Sequence, residues 1–334
     1  MTDHESDSPK PSQDPISVPE IGASSEATFL SDQTVHLPVM YREVIEALDP
    51  QPGQWIVDGT LGGGGHTRLL ASRVGPDGKI LGMDRDPSAV QRTSETLAGL
   101  PVATVASNYA DLPEVLAELE VPLVDGILLD LGLSSDQLAD RDRGFSYQSD
   151  GELDLRFDTN QGRPAWHLLQ RLGQQHLADL IYNYGEEKFS RRIARKIVEI
   201  REREDLKTAA QLADLVRRCV PRSKNHSIDP ATRTFQALRI AVNEELKWLE
   251  VALRRMPECL KPGGKLVIIS FHSLEDRLVK NAFRDDPRLD VVTKKPLRPL
   301  DDEVEWNPRA RSSRLRVAVR NERAADDLNQ SIFG

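Results

Sequence analysis

The sequence predicts an α/β protein with a doubly wound, mostly parallel sheet and an inserted all-α region. Short apolar segments alternate with helical segments over residues 54–135, which is the pattern of a parallel sheet flanked by helices. The alternation stops after Ser135 and resumes with a long helix that begins at Thr234. We therefore expect the sheet to be assembled from two separate parts of the chain.

Length and composition agree with this class. The chain has 334 residues, of which 39% are hydrophobic and 29% charged, a balance typical of globular proteins. This length predicts one large domain with an insertion, or two domains. Aromatic residues make up only 5% of the chain, so any surface that stacks on bases must be sparse.

Each expected strand is a short apolar run bounded by turn residues. A helix carrying Val44, Ile45 and Leu48 ends at Pro50, ahead of the first strand. Further helices are expected to begin near residue 65 and to cover residues 88–97, 112–119 and 234–260. The expected strands cover residues 54–58, 79–84, 102–105, 125–130, 265–271 and 314–319, the last of which closes the sheet.

Three regions follow from these boundaries. Residues 1–34 are rich in Ser, Pro, Asp and Glu without an apolar period, which predicts a disordered acidic tail. Residues 137–231 read as loops and helices and form the expected helical insertion. Residues 35–136 and 232–334 then make up one discontinuous sheet domain.

The formal net charge of -9 is unevenly spread along the chain. The first 34 residues hold seven acidic residues and one lysine, a net charge of -6. The stretch from Lys188 to Arg239 holds fourteen Lys or Arg and six Asp or Glu, a net charge of +8. The overall charge therefore does not exclude a polyanionic partner.

The two cysteines, Cys219 and Cys259, lie forty residues apart without a CxxC motif. This spacing predicts neither a disulfide framework nor a metal site. No apolar run reaches the roughly 18 residues that span a bilayer, and the acidic start does not match a signal peptide. We therefore expect a cytoplasmic protein without a membrane partner.

The strongest local signal is a glycine-rich segment at residues 58–67, between the first strand and the next helix. Glycines let backbone amides approach a ligand closely at a positively polarised helix terminus. Asp84 ends the second strand 22 residues after Gly62, where nucleotide-binding folds place the carboxylate that holds ribose hydroxyls. The segment also supplies the candidate ligand-binding residues Gly63, Gly64, Gly65 and His66.

Three further positions describe a pocket for a cationic ligand that carries adenosine. Asp58 stands just before the glycines, Tyr109 follows the third strand, and Asp130 ends the fourth. A dinucleotide enzyme would use the same loop for a pyrophosphate. An NAD-type oxidoreductase is therefore the alternative enzyme class.

A set of motifs resembles one family over residues 36–320, the bacterial 16S ribosomal RNA cytosine N4-methyltransferases, also called MraW or RsmH. These motifs are HLPVM at 36, DGTLGGGGHT at 58, DRDP at 84, DGILLDLGLSSDQL at 125, RGFS at 143, YGEE at 184, PATRTFQA at 230, SFHSLEDR at 270 and NPRARSS at 307. The resemblance implies a Rossmann-like methyltransferase sheet and methylation of a cytidine in the decoding region of 16S rRNA.

The resemblance also implies S-adenosylmethionine as the cofactor. Asp58 would face its methionine end, and Gly64, Gly65 and His66 would form its loop. Asp84 would hold the ribose, and the residues around the adenosine and the reaction centre would be Tyr109, Asp130 and Gln137. The family commonly has Phe at the position of Tyr109, and both side chains offer a ring to adenine.

The lone pair of the cytosine N4 amine is delocalised into the ring, so the amine is a weak nucleophile. It can attack the methyl group only if it rehybridises and loses a proton, and the expected reaction therefore needs a proton acceptor near the amine. Asp130 is the first catalytic candidate, although it could serve cofactor binding alone. His272, after the fifth strand, is the second, because it could contact the base or relay a proton. A structural bond from His272 to Glu275 or Asp276 is the other interpretation.

The expected partner is 16S rRNA in the small ribosomal subunit, recognised through the helical insertion. Phe145 and Phe271 are candidates for stacking on the base, though each is also a candidate core residue. Three basic clusters could contact the RNA backbone: Lys188, Arg191, Arg192, Arg195 and Lys196; Arg217, Arg218, Arg222 and Lys224; and Arg309, Arg311 and Arg314. A non-catalytic RNA-binding assembly factor remains an alternative, and a homodimer stays open.

Overall fold

The computed structural model describes residues 38–121, 123–134, 137–138, 140–147, 149–221 and 229–322. The expected acidic tail lies outside these residues. Within them, seven strands form one sheet: β1 (Trp55–Asp58), β2 (Lys79–Asp84), β3 (Val102–Ala106), β4 (Val124–Asp130), β5 (Leu260–Ser270), β6 (Leu289–Val291) and β7 (Arg314–Arg320).

The strand order is β3-β2-β1-β4-β5-β7-β6. Strands β3, β2, β1, β4 and β5 pair in parallel, whereas β7 pairs antiparallel with both β5 and β6. The mostly parallel, doubly wound sheet is thereby confirmed. The sequence correctly predicts strand β7. It does not close the sheet as expected, because the short strand β6 pairs with its outer side and forms the edge.

Helices surround the sheet and fill the long connection between β4 and β5. None of the described helices is both long and apolar enough to cross a membrane. They are α1 (Tyr41–Leu48), α2 (Gly65–Val74), α3 (Pro87–Thr96), α4 (Leu112–Glu118), α5 (Ala165–Arg171), α6 (Gln174–Gly185), α7 (Ser190–Arg201), α8 (Ala209–Cys219), α9 (Thr232–Asn243), α10 (Glu245–Cys259), α11 (Ser273–Asp285) and α12 (Asp301–Trp306).

Both faces of the sheet are covered, which explains why its strands are continuously apolar. Ile56 packs on one side in a cluster with residues of α1 and α2. Its neighbour Val57 packs on the other side, with residues of α4, α10 and α11. Consecutive residues of a strand point to opposite faces, so a run such as Ile56-Val57 must be apolar throughout.

A separate apolar cluster holds the helical region together. It extends from Phe145 to Leu238 and includes buried residues of α5 through α9. Helix α9 contributes Phe235 and Leu238 to it. The domain boundary expected at residue 231 stays a prediction.

The single helix expected over residues 234–260 is wrong, because the chain forms α9 and α10 instead. Glu244 separates them in the left-handed conformation, with φ 51°. Its backbone N–H still donates to the Ile240 carbonyl and so closes α9. The apolar period continues through both helices and therefore does not reveal the break.

Candidate active site

Three predicted site residues end neighbouring parallel strands. Asp58 ends β1, Asp84 ends β2 and Asp130 ends β4, so the three carboxylates lie at one edge of the sheet. Strand β1 sits between β2 and β4, and the winding of the sheet reverses between β1 and β4. Ligands of doubly wound sheets bind in the crevice at such a switch point.

The glycine loop between β1 and α2 has a backbone that only glycine adopts easily. Gly62 and Gly64 have φ values of 47° and 76°. A Cβ on Gly64 would lie 2.7 Å from Cγ2 of Thr93, which excludes a larger residue. A Cβ on Gly63 would meet no atom within 4 Å, so this backbone faces open space. The loop is thus a cradle that a ligand can approach.

Asp58 lies beneath this loop and is fully buried. Its Oδ2 accepts a hydrogen bond from the Thr67 hydroxyl at 2.7 Å, and its Oδ1 accepts one from the Thr60 amide at 3.2 Å. Burial raises the pKa of this carboxyl group above its ordinary value. These bonds stabilise the loop, while the expected contact with a cofactor stays a prediction.

Asp84 links the second strand to the glycine loop. Its Oδ2 accepts from the Gly62 amide at 2.8 Å, and its Oδ1 accepts from the Asp86 amide at 2.9 Å. Burial raises the pKa of Asp84, and these two amides oppose that shift. Each carboxylate oxygen has a further acceptor position, so the residue retains the capacity to hold hydroxyl groups.

Tyr109 lies between the glycine loop and the apolar cluster on one face of the sheet. A Cβ on Gly59 would lie 3.1 Å from the Cβ of Tyr109, so the Tyr109 side chain leaves the backbone directly beside the loop. Burial, followed by the charges of Glu245 and Glu275, raises the pKa of the phenol. Tyr109 therefore stays neutral, and its ring packs partly against the apolar cluster under the sheet.

Asp130 faces His66 across the switch point. The His66 Nε2 lies 3.6 Å from the Asp130 Oδ2, and it is a buried atom without a hydrogen-bond partner among the described residues. The Asp130 amide donates to the Thr60 hydroxyl at 2.7 Å, which joins Asp130 to the residues around Asp58. The unbonded nitrogen and the open Gly63 backbone fit a ligand that offers its own polar groups.

Gln137 orders the loop that follows β4. Its side-chain oxygen accepts from the Ser134 amide at 3.0 Å, and its own amide donates to the Ser134 hydroxyl at 3.1 Å. A Cβ on Gly62 would lie 3.3 Å from the Cβ of Ser134, so this loop packs on the glycine loop. The structure therefore places Gln137 beside the predicted cofactor site.

His272 caps the first turn of α11. Its Nδ1 accepts from the Glu275 amide at 3.3 Å, and its Nε2 lies 3.1 Å from the Glu275 Oε1. The structural bond to Glu275 that the sequence allowed is thus observed. Contact of His272 with a base, or a proton relay through it, stays a prediction.

The side chains of Glu245, His272 and Glu275 place potential metal ligands within 4.8 Å of one another. Both oxygens of Glu245, however, already accept from Arg239 at 2.8 Å. The Glu275 Oε2 accepts from the Phe271 amide at 2.8 Å. Because both carboxylates are compensated by the chain itself, we interpret the group as a structural charge network.

The two candidate stacking residues differ in position. Phe145 is buried in the helical region, where its ring stacks on Phe157 with centroids 6.0 Å apart. It is therefore a core residue, as its apolar character also allowed. Phe271 is partly buried against the sheet, and a Cβ on Gly132 would lie 2.7 Å from its ring. Phe271 thus lies beside the loop that follows Asp130.

A polar seam that the sequence did not predict joins the β2 loop to the helical region. Arg143 donates to the Asp86 carboxylate at 2.6 Å and to the carbonyls of Arg156 and Phe157 at 2.7 Å. Asn243 accepts from the Phe157 amide at 2.8 Å. The motifs at 84 and 143 contain two of these residues, but sequence alone does not pair them.

The sheet order and the glycine cradle define a class I S-adenosylmethionine-dependent methyltransferase fold. In the dinucleotide fold of NAD-type oxidoreductases the sheet is mostly parallel in the order 3-2-1-4-5-6. The antiparallel strand β7 between β5 and β6 distinguishes the observed sheet from that order.

The chain belongs to the MraW methylase family, which its sequence matches over residues 33–321. It is 49% identical over 310 residues to "Ribosomal RNA small subunit methyltransferase H" of Rhodopirellula baltica, covering 90% of this chain and 95% of that protein. A protein of the same name from Syntrophotalea carbinolica is 47% identical over 306 residues, covering 85% and 98%. The family resemblance inferred from the motifs is confirmed.

Proposed function

We propose that the protein transfers a methyl group from S-adenosylmethionine to the N4 amine of a cytidine in the decoding region of 16S rRNA. Its substrate would be the small ribosomal subunit or a late precursor in the cytoplasm. The observation that carries this proposal is the family match, which spans every element of the switch-point site. The named function of the two relatives supports rRNA as the substrate class.

The cofactor would lie across the switch point. Gly63, Gly64 and Gly65 offer backbone contacts, and the unbonded His66 Nε2 offers a polar contact. The free acceptor positions of Asp84 suit the ribose hydroxyls, and the neutral ring of Tyr109 suits the adenine face. The cofactor supplies a sulfonium-bound methyl group.

Asp130 would accept the proton that the amine loses. Its Oδ1 accepts from the Gly132 amide at 3.3 Å, whereas its Oδ2 lies 3.6 Å from the His66 Nε2. The cofactor would supply the methyl group, and as the N4 amine takes it up the Asp130 Oδ2 would accept one N4 proton. Gln137 fixes the neighbouring loop, and His272 orders the other wall of the site.

The helical region would contact the RNA, with residues 137–231 as the expected recognition region. The alternative of a non-catalytic assembly factor predicts RNA binding without methyl transfer. A homodimer stays open, and sedimentation of the purified protein distinguishes it from a monomer.

The test is to incubate purified protein with radiolabelled S-adenosylmethionine and unmethylated small subunits, and then to locate the label by mass spectrometry of 16S rRNA. We expect one labelled N4-methylcytidine in the decoding region. Label on another atom or another RNA contradicts the proposed substrate, and subunit binding without label supports the assembly factor.

A further inference from the structure

We infer that the exposed face of α7, together with Tyr182 and Phe189, binds the unpaired RNA nucleotides that flank the methylated cytidine. This inference rests on the proposed function and assigns the RNA surface that serves the same site. It selects one of the three basic clusters and adds two aromatic residues that belong to none of them.

The three basic clusters differ in how many of their cations form ion pairs or hydrogen bonds within the chain. Arg217 pairs with Asp229 at 2.7 Å and with Asp214 at 2.9 Å. Arg309 donates to the Leu133 carbonyl, and Arg314 lies 4.0 Å from Asp276. Arg222 and Lys224 lie outside the described residues. Arg217, Arg309 and Arg314 thus support the fold, whereas Arg218 and Arg311 are exposed.

The first cluster, on α7 and the residues before it, is largely unpaired. Its five cations, Lys188, Arg191, Arg192, Arg195 and Lys196, are all exposed. Among the described residues, the carboxylate within ion-pair distance of this cluster is that of Glu199, which contacts both Arg195 and Lys196. The face therefore carries excess positive charge, which suits phosphate groups.

Two exposed aromatic rings flank the start of this face. Tyr182 is 58% exposed and Phe189 is 38% exposed, and they lie on either side of the turn that joins α6 to α7. Proteins bind single-stranded nucleic acid with exposed aromatic side chains next to cations. The bases stack on the rings, and the cations contact the phosphates. A base-paired helix would not offer free base faces to these rings.

The turn between the rings is held rigidly. A Cβ on Gly185 would lie 2.4 Å from the Arg233 carbonyl oxygen, so α9 packs directly on it. Arg233 donates to the Glu186 carbonyl at 3.2 Å, and Gln236 donates to the Tyr184 carbonyl at 2.9 Å. The two rings are therefore presented from a fixed backbone, which lowers the entropy cost of binding.

The same turn is attached to the start of α11, next to His272. The Glu186 carboxylate accepts from the Ser273 hydroxyl at 2.5 Å and lies 3.4 Å from Arg277. Ser273 follows His272, and Phe271 packs on the loop after Asp130. The aromatic and basic surface thus begins at the rim of the switch-point site, where nucleotides next to a splayed-out cytidine would lie.

The experiment compares two double variants with a matched control. Tyr182→Ala with Phe189→Ala removes the rings, and Lys188→Gln with Arg192→Gln removes two cations. Lys294→Gln with Lys295→Gln removes two exposed cations from the segment after β6 and serves as the control. Affinity is measured by fluorescence anisotropy, in the presence of S-adenosylhomocysteine, for a single-stranded RNA and for a duplex of equal length.

We expect the ring variant to bind single-stranded RNA about tenfold or more weakly, with a smaller change for the duplex. The cation variant should lower the slope of log affinity against log salt by about 1.4, which corresponds to two phosphate contacts on a single strand. The control should match the unaltered protein. Calorimetry should give all variants the same affinity for S-adenosylhomocysteine, which shows that they are folded.

Unchanged single-strand affinity of the ring variant overturns the inference, as does a cation variant that behaves like the control. A change in sedimentation caused by the ring variant overturns it as well and assigns the rings to a subunit interface. If the unaltered protein binds single-stranded RNA through these residues but does not methylate rRNA, the proposed function fails while the RNA surface stands.

Discussion

The charged residues at the sheet edge and on the exposed face of α7 differ in how far the chain itself compensates them. At the sheet edge, the chain itself donates hydrogen bonds to Asp58 and Asp84 at distances of 2.7 to 3.2 Å. On α7 and at Lys188 just before it, five cations are exposed, and Glu199 pairs with two of them, Arg195 and Lys196. A small cofactor needs a site of fixed geometry, whereas RNA brings its own negative charges. We therefore propose cofactor binding for the first region and RNA binding for the second.

The largest expected effect is at Asp130. Replacing Asp130 with Asn removes the proposed proton acceptor, so the single-turnover methylation rate should fall by about 10² to 10⁴. Rapid-quench measurement at saturating cofactor tests this. Calorimetry with S-adenosylhomocysteine should show a change of only a few fold. Lost cofactor affinity with intact single-turnover chemistry would remove Asp130 from the catalytic residues.

The polar seam between the β2 loop and the helical region should contribute strongly to stability. Arg143→Met leaves the Asp86 carboxylate, which is only 6% exposed, without its ion-pair partner. The free energy of unfolding should therefore fall by about 3 kcal/mol. Arg217→Met, in an ion pair that is more exposed, is the matched control and should cost about 1 kcal/mol or less. If urea unfolding shows the same loss of unfolding free energy for both variants, the Arg143–Asp86 pair does not stabilise the fold more than an exposed ion pair.

Asp84 should act on cofactor affinity. Asp84→Ala removes the acceptor for the ribose hydroxyls and for the Gly62 amide, so the Kd for S-adenosylhomocysteine should rise about 100-fold. Asp290→Ala, at an exposed aspartate of β6, is the control and should leave the Kd unchanged. RNA affinity should stay the same in both variants. An unaltered Kd for Asp84→Ala refutes the assignment of this carboxylate.

The smallest expected effect is the pH dependence caused by Asp58. Burial raises its pKa in the folded state, so proton binding stabilises the fold. That stabilisation is complete below the unfolded-state pKa of about 3.9 and is lost as pH rises through the raised folded-state pKa. The Tm of the unaltered protein should therefore fall relative to that of Asp58→Asn as pH increases. Thermal melts of both proteins across this range test the sign, and a constant difference contradicts it.

The sheet could largely be predicted from sequence because its pattern is local. Buried parallel strands are short apolar runs between turn residues, and the segments ending at Asp58, Asp84 and Asp130 show this directly. The glycine cradle also follows from sequence, since positions such as Gly64 require a backbone with positive φ. These features identify the edge of the sheet and the residues that meet there.

Other features depend on contacts between distant segments. The break at Glu244 interrupts an apolar pattern that continues on both sides, so periodicity predicts one helix where two exist. The pairing of Arg143 with Asp86 and of Glu186 with Ser273 joins residues 57 and 87 positions apart. Which side chains are exposed, as Tyr182 is, follows from packing of the helical region and not from local sequence.

The division of roles between the two regions is tested most directly by one steady-state measurement. Methylation of small subunits is followed for Asp84→Ala and for Lys188→Gln with Arg192→Gln, varying cofactor and subunits separately. We predict that the first variant raises the KM for S-adenosylmethionine alone and that the second raises the KM for subunits alone. If either variant raises both constants equally, the sheet edge and the α7 face do not bind separate substrates.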